Sequence, residues 1–208
     1  MPHHHAAAIG RRPRSLPLSA RLPSPGVLYN AGNLLGLCVG LAVTFVGHGG
    51  RSGETLAAYF AGDGSALCLT AATIVFFVSG SIYHRAWQVG GAQRLRLVRC
   101  ADLLSGLGAI LLGASLFLVG QPILALASAT LHSTGKLGSS LAGGRSEPLC
   151  RLARRLVLGS RAFGLLAGAS ALPSASGASA SDIVMSATLV VCYLLWASAD
   201  ILLMKYAD

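Results

Sequence analysis

Four ionisable side chains lie within or beside apolar stretches of this chain, where an ionised group is costly unless it has a partner or a function. Asp102 begins one stretch, and His132 and Lys136 lie one helical turn apart near the end of the next. Asp200 lies in the last stretch, about one turn before Lys205. Histidine changes its charge near neutral pH, so such a group can bind a cation, a proton or a small polar ligand. The pattern predicts a candidate polar site made of Asp102, His132, Lys136 and Asp200.

A purely structural interpretation of the same residues stays open. Asp102 would pair with Lys136, and Asp200 with Lys205 or with an arginine from a neighbouring loop, so that the pairs anchor helices at a membrane boundary. His132 and Asp200 fit this interpretation least well, because each lies about one turn deeper than the boundary.

Sequence patterns of common catalytic sites are absent. The chain has no HExxH, GxSxG or Walker A motif. Its five cysteines include no CxxC pair, which predicts neither a disulfide framework nor a zinc site. The sequence therefore indicates no catalytic residue and no metal site, points to no cofactor, and gives little support to an enzymatic activity.

The composition predicts an all-α integral membrane protein. Apolar residues make up 53% of the chain and charged residues only 11%, with a mean hydropathy of +0.65. Soluble domains carry about 25% charged residues, and a chain this poor in charge could not cover a surface in water. The low aromatic content and the absence of alternating polarity favour helices over a membrane barrel.

Six segments approach the length of about 20 apolar residues that a helix needs to cross a bilayer. Residues 103–135 are uncharged, and one helix of that length would run to about 50 Å, too long for a single crossing. Gly120-Gln121-Pro122 divides this stretch as a turn. We therefore predict a bundle of six transmembrane helices with spans near 27–47, 65–83, 103–119, 122–139, 156–173 and 184–204.

The fifth of these spans is the weakest, because Arg161 lies about one turn inside it. The arginine side chain could extend back to the interface. Alternatively, residues 149–161 form a basic surface helix and the segment is re-entrant.

Basic residues cluster on one side of the predicted membrane. The opposite loops contain only Arg51, against Glu54, Asp63 and Asp182. Basic loops mark the cytoplasmic side, so both termini are predicted to be cytoplasmic. The net charge of +9 is then an orientation signal that favours anionic lipid headgroups, and it does not predict nucleic-acid binding.

Residues 1–26 are basic, rich in proline and predicted to form a cytoplasmic tail. A mitochondrial transit segment is the alternative, although Pro13, Pro17, Pro23 and Pro25 would break the amphipathic helix that it needs. The expected location is a bacterial cytoplasmic (inner) membrane, with an organellar (mitochondrial) membrane as the alternative.

Small residues recur four apart in the odd-numbered spans, and such stripes let helices approach closely. They predict three helical hairpins whose odd helices meet at a central seam, although one stripe could equally be a dimer face. The stripes are Gly32, Gly36 and Gly40, then Ser105, Ala109 and Gly113, then Ser160, Gly164 and Gly168.

Two functions follow as hypotheses. One is a small transporter or permease with a cytoplasm-facing polar vestibule lined by Asp102, His132 and Asp200, which would need to form a homo-oligomer to build a pathway. The other is a non-catalytic accessory or assembly subunit that docks on a larger membrane complex through its glycine-rich helix faces. The first is favoured, because buried ionisable groups require a reason to exist.

Overall fold

A computed structural model describes residues 23–47, 64–118, 123–142, 147–171 and 180–206. In these ranges the chain forms six α-helices and no β-strand, which confirms the all-α prediction. The predictions for residues 1–22 and for the loop containing Arg51, Glu54 and Asp63 lie outside the described residues. The helices are α1 (Pro25–Gly47), α2 (Gly64–Gln88), α3 (Gly91–Leu118), α4 (Ile123–Ala142), α5 (Glu147–Ala171) and α6 (Ala180–Tyr206).

The uncharged stretch of residues 103–135 forms two helices, as predicted. α3 ends at Leu118 and α4 begins at Ile123, on either side of the predicted turn. The two helices run antiparallel, because Ser140 near the end of α4 bonds to the Arg99 carbonyl in the first half of α3, whereas Ala129 in the first half of α4 faces Gly113 near the end of α3. Asp102 and Lys136 consequently lie at the same end of this hairpin.

α5 is one continuous helix of 25 residues, so residues 149–161 do not form a separate surface helix. At 1.5 Å per residue it extends for about 37 Å. The sequence analysis allowed the Arg161 side chain to extend back to the membrane interface, but in the structure it does not. The residue is only 7% exposed, and its side chain faces the interior, because it pairs there with the carboxylate of Asp200.

The six helices form a closed ring in chain order. Among the described residues, every extensive helix–helix interface joins neighbours in this ring, and α6 packs against α1 to complete it. Each helix therefore has one face toward the ring axis and one face outward.

The small-residue stripes pack against even-numbered helices, so the predicted seam between odd helices is wrong in the described part. A Cβ atom at Gly32 would lie 2.5 Å from Nε1 of Trp196 on α6, and one at Gly168 would lie 3.0 Å from Cγ2 of Val190. The physical reason is the size of the facing side chains, since side chains of α6 occupy the space that the missing Cβ atoms of the glycines leave. Gly36 and Gly164 likewise face Cys192 and Tyr193 on α6, and Gly113 faces Ala129 on α4. The surroundings of Gly40 lie outside the described side chains.

The distribution of polar and apolar side chains is the inverse of that in a water-soluble protein. Large apolar side chains cover the outside of the ring, for example Leu34, Ile74, Leu107, Ile110, Leu166 and Leu194. Charged and hydroxyl groups are buried inside it. In the described part of the chain, α2, α3 and α6 contain stretches long and apolar enough to cross a membrane: Leu67–Gln88, Gly91–Leu118 and Ile183–Lys205.

Candidate functional site

Each helix contributes one polar side chain to a buried cluster at the ring axis, which we call the axial cluster. All six residues are at most 7% exposed. The cluster lies near the end of the ring where α1 begins and α2, α4 and α6 end. Its members, from α1 to α6, are Tyr29, Tyr83, Asp102, Lys136, Arg161 and Asp200.

Ion pairs join the four charged members. Lys136 Nζ lies 3.2 Å from Oδ1 of Asp102 and 3.2 Å from Oδ1 of Asp200. The Arg161 guanidinium donates from Nε to Oδ2 of Asp200 over 2.8 Å. Two carboxylates thus balance two cations, which is what buried charges need to offset the loss of hydration.

This network confirms one predicted pair and corrects another assignment. Asp102 pairs with Lys136, as the structural interpretation of the sequence required. Asp200 pairs with Lys136 and with Arg161 of the facing helix α5, whereas the sequence analysis assigned it Lys205 or a loop arginine.

Two tyrosines complete the axial cluster around the lysine. The Tyr29 hydroxyl donates to Asp200 and the Tyr83 hydroxyl donates to Asp102. Lys136 Nζ donates to the Tyr83 hydroxyl over 2.9 Å and lies 4.9 Å from the centre of that ring, within the range of a cation–π contact. Lys136 Nζ also lies 3.4 Å from the Tyr29 hydroxyl, so carboxylates and phenols from four different helices hold the ammonium group.

Sequence reasoning did not identify the two tyrosines, because tyrosine near a helix end usually marks a membrane interface. A usable signal was present for one of them. Tyr29 lies three residues before Gly32, as Asp102 lies three residues before Ser105. Aligning the small-residue stripes places both side chains at the same depth.

A cavity of about 420 Å³ lies on one side of the axial cluster, at the end of the ring that carries the basic residues; we call it the vestibule. Asp102, Lys136 and Asp200 line its deep end. α3 and α5 extend beyond the cluster there and add basic side chains to its wall: Arg94, Arg99 and Arg154. Three of the four predicted site residues therefore line one space.

His132, the fourth predicted residue, lines a smaller cavity of about 30 Å³ on the other side of the cluster, which we call the inner cavity. Its Nε2 atom shares a hydrogen bond of 2.9 Å with the Ser105 hydroxyl. Its Nδ1 atom is buried without a hydrogen-bond partner among the described residues. The cavity volume suffices for one or two water molecules, which would satisfy this nitrogen.

Tyr29, Tyr83 and Arg161 also line the inner cavity, so the axial cluster forms a partition between the two spaces. Within the described ranges, no three His, Cys, Asp or Glu side chains come close enough together to hold a metal ion. The arrangement places four charged groups and two phenols in mutual contact along the ring axis, between the two cavities.

Comparison with models of known families, with curated proteins and with solved structures finds no match for this chain. The function must therefore be argued from the geometry of the ring and its interior.

Proposed function

We propose that this protein is a small membrane transporter whose pathway runs along the axis of the helix ring. The observation that carries the proposal is the axial cluster, in which all six helices meet in one charged partition between two cavities. Charged side chains inside a membrane bundle commonly mark the route of a solute or an ion. A partition made of ion pairs can open when the charged groups exchange their partners.

We also propose that all six helices span the membrane. Three of them are apolar enough by composition alone. α4 and α5 are less apolar because their polar groups lie inside the ring, where lipid does not meet them; these include His132, Lys136, Ser160 and Arg161. The apolar outer face of the ring supports the same conclusion.

In the proposed orientation both termini and the vestibule face the cytoplasm of a bacterial cell, with a mitochondrial membrane as the alternative location. The arginines around the vestibule support this orientation, because basic residues are retained on the cytoplasmic side and attract anionic lipid. A fluorescent protein fused after Asp208 should therefore fluoresce, and alkaline phosphatase fused at the same point should be inactive. Fusions to alkaline phosphatase and to a fluorescent protein measure this, and phosphatase activity outside the cell would contradict the orientation.

Transport itself is tested with the purified full chain in liposomes. We expect these vesicles to exchange at least one labelled solute from a panel of phosphate, succinate and putrescine faster than protein-free vesicles. His132→Ala should slow that exchange by about tenfold, because the variant removes the polar group that would order water or solute in the inner cavity.

Thr134→Ala is the matched control for this experiment. Thr134 lies on the same helix, but its side chain is exposed and donates to the backbone carbonyl of Thr130. Folded protein that exchanges none of the three solutes, or equal loss of exchange in both variants, would contradict the proposed pathway.

No contact in the described part of the chain favours the second hypothesis, an accessory or assembly subunit. That hypothesis needs free glycine faces for docking, and Gly32, Gly36, Gly164 and Gly168 face α6 of the same chain. Association with a second copy stays a prediction from the small size of the ring.

A further inference from the structure

We infer that the vestibule is a binding site for a small anion that carries a phosphate or carboxylate group. Binding at this site does not require transport, so it goes beyond the proposed function.

The charges on the vestibule wall carry the inference. In the part of the chain that the structure describes, four cations line the space, Arg94, Arg99, Arg154 and Lys136, against the two carboxylates of Asp102 and Asp200. Both carboxylates are already engaged by Lys136, Arg161 and the tyrosine hydroxyls. Since Lys136 and Arg161 balance these carboxylates, the three arginines give the described lining an excess of positive charge. A recess with low-dielectric walls concentrates the field of such charges.

The kind of cation and the size of the space narrow the class of ligand. Arginine presents a planar set of donors that matches the oxygens of phosphate and carboxylate, and lysine adds a point charge. Arg94 is held over the ring of Trp87, with 5.6 Å between its Cζ atom and the ring centre, which limits the positions of its guanidinium. A volume of about 420 Å³ falls in the range of small-molecule sites and exceeds what a single halide ion needs.

The position of Lys136 connects this site to the axial cluster. An anion at the deep end of the vestibule would compete with Asp102 and Asp200 for the lysine ammonium. Only this step rests on the proposed transport function, since it would loosen the partition as the ligand binds.

Cys150 offers a direct measurement of binding, because it lines the vestibule on α5, one helical turn before Arg154. The full chain in a neutral maltoside detergent is treated with an anionic sulfonate-bearing thiol reagent, and modification of Cys150 is followed by peptide mass spectrometry. Inorganic phosphate should slow the reaction at Cys150, whereas sodium chloride at equal ionic strength should slow it less, which separates binding from screening.

A charge-matched pair of variants makes the test specific. Arg154→Gln should raise the phosphate concentration needed for half-protection by about tenfold, as expected for the loss of one hydrogen-bonded charge. Arg151→Gln removes the same charge one turn away on the same helix, at an exposed side chain that does not line the vestibule, and should leave protection unchanged. Equal effects of the two variants would overturn the site.

A second arm separates a soluble anion from a lipid headgroup. The protein is placed in nanodiscs of neutral phosphatidylcholine, or of a mixture with phosphatidylglycerol. Protection by phosphate in the neutral lipid assigns the site to a soluble anion. Protection only by phosphatidylglycerol, lost in Arg154→Gln, assigns it to a headgroup. Protection by neither probe overturns the inference, and this outcome is independent of whether the liposomes exchange any solute.

Discussion

Asp200→Asn should lower the free energy of unfolding by about 3–5 kcal/mol, the cost of breaking a buried ion pair from one side. Asparagine keeps the size of the side chain but removes its charge. Arg161 would then lose the carboxylate with which it pairs, Lys136 would keep that of Asp102, and an excess positive charge would stay buried at the ring axis. Thermal unfolding of the purified protein in detergent micelles, followed by circular dichroism, measures the loss.

A double variant shows whether the loss of stability comes from the uncompensated charge or from the lost contacts of Asp200. Replacing Arg161→Met together with Asp200→Leu removes one cation and one anion and leaves the pair of Asp102 and Lys136 intact. Apolar side chains of similar volume often replace a buried ion pair with little loss. The double variant should therefore be more stable than Asp200→Asn. If it is equally unstable, uncompensated charge is not what makes the single substitution costly.

Lys136→Met should open the partition between the vestibule and the inner cavity. Its ammonium bridges Asp102 and Asp200, and without it the two carboxylates repel each other and draw in water. A cysteine introduced as Ala129→Cys, in the wall of the inner cavity, should then react with a water-soluble thiol reagent at least about tenfold faster, since adjacent like charges cost several kcal/mol. Peptide mass spectrometry measures the rate at this position without removal of the native cysteines.

Two further variants make this result interpretable. Lys205→Met removes the same charge at an exposed side chain near the end of α6 and should leave the rate unchanged. Asp102→Asn combined with Lys136→Met keeps the cluster neutral, so it should fold while still lacking the bridge. Because this double variant also lacks the repulsion between the two carboxylates, the introduced cysteine should react about as slowly as in Ala129→Cys alone. Fast modification there would show that carboxylate repulsion is not what opens the axis.

The helical class and the hairpin of α3 and α4 were predictable from sequence, because both depend on properties local to the chain. A chain with so few charged residues could not cover a surface in water. The uncharged stretch of residues 103–135 is too long to cross a membrane as one helix. The pairing of Asp102 with Lys136 was predictable for the same reason. Both residues border that stretch, so folding it in half brings them to one end.

The position of Arg161 and the use of the glycine stripes were decided by tertiary structure. Spacing along one helix says which residues share a face, but it does not say toward which neighbour that face turns. Arg161 turns inward because Asp200 lies across the interface between α5 and α6, and Gly32 faces α6 because the ring closes with α6 beside α1.

The sequence by itself determined an all-helical, charge-poor chain, and it placed Asp102 and Lys136 at one end of a hairpin. Only the tertiary structure brought one polar side chain from each of six helices to a common axis, including Tyr29 and Tyr83. The physical reason is that buried charged groups find their partners on other helices. The rotation and order of those helices are set by packing over the whole ring.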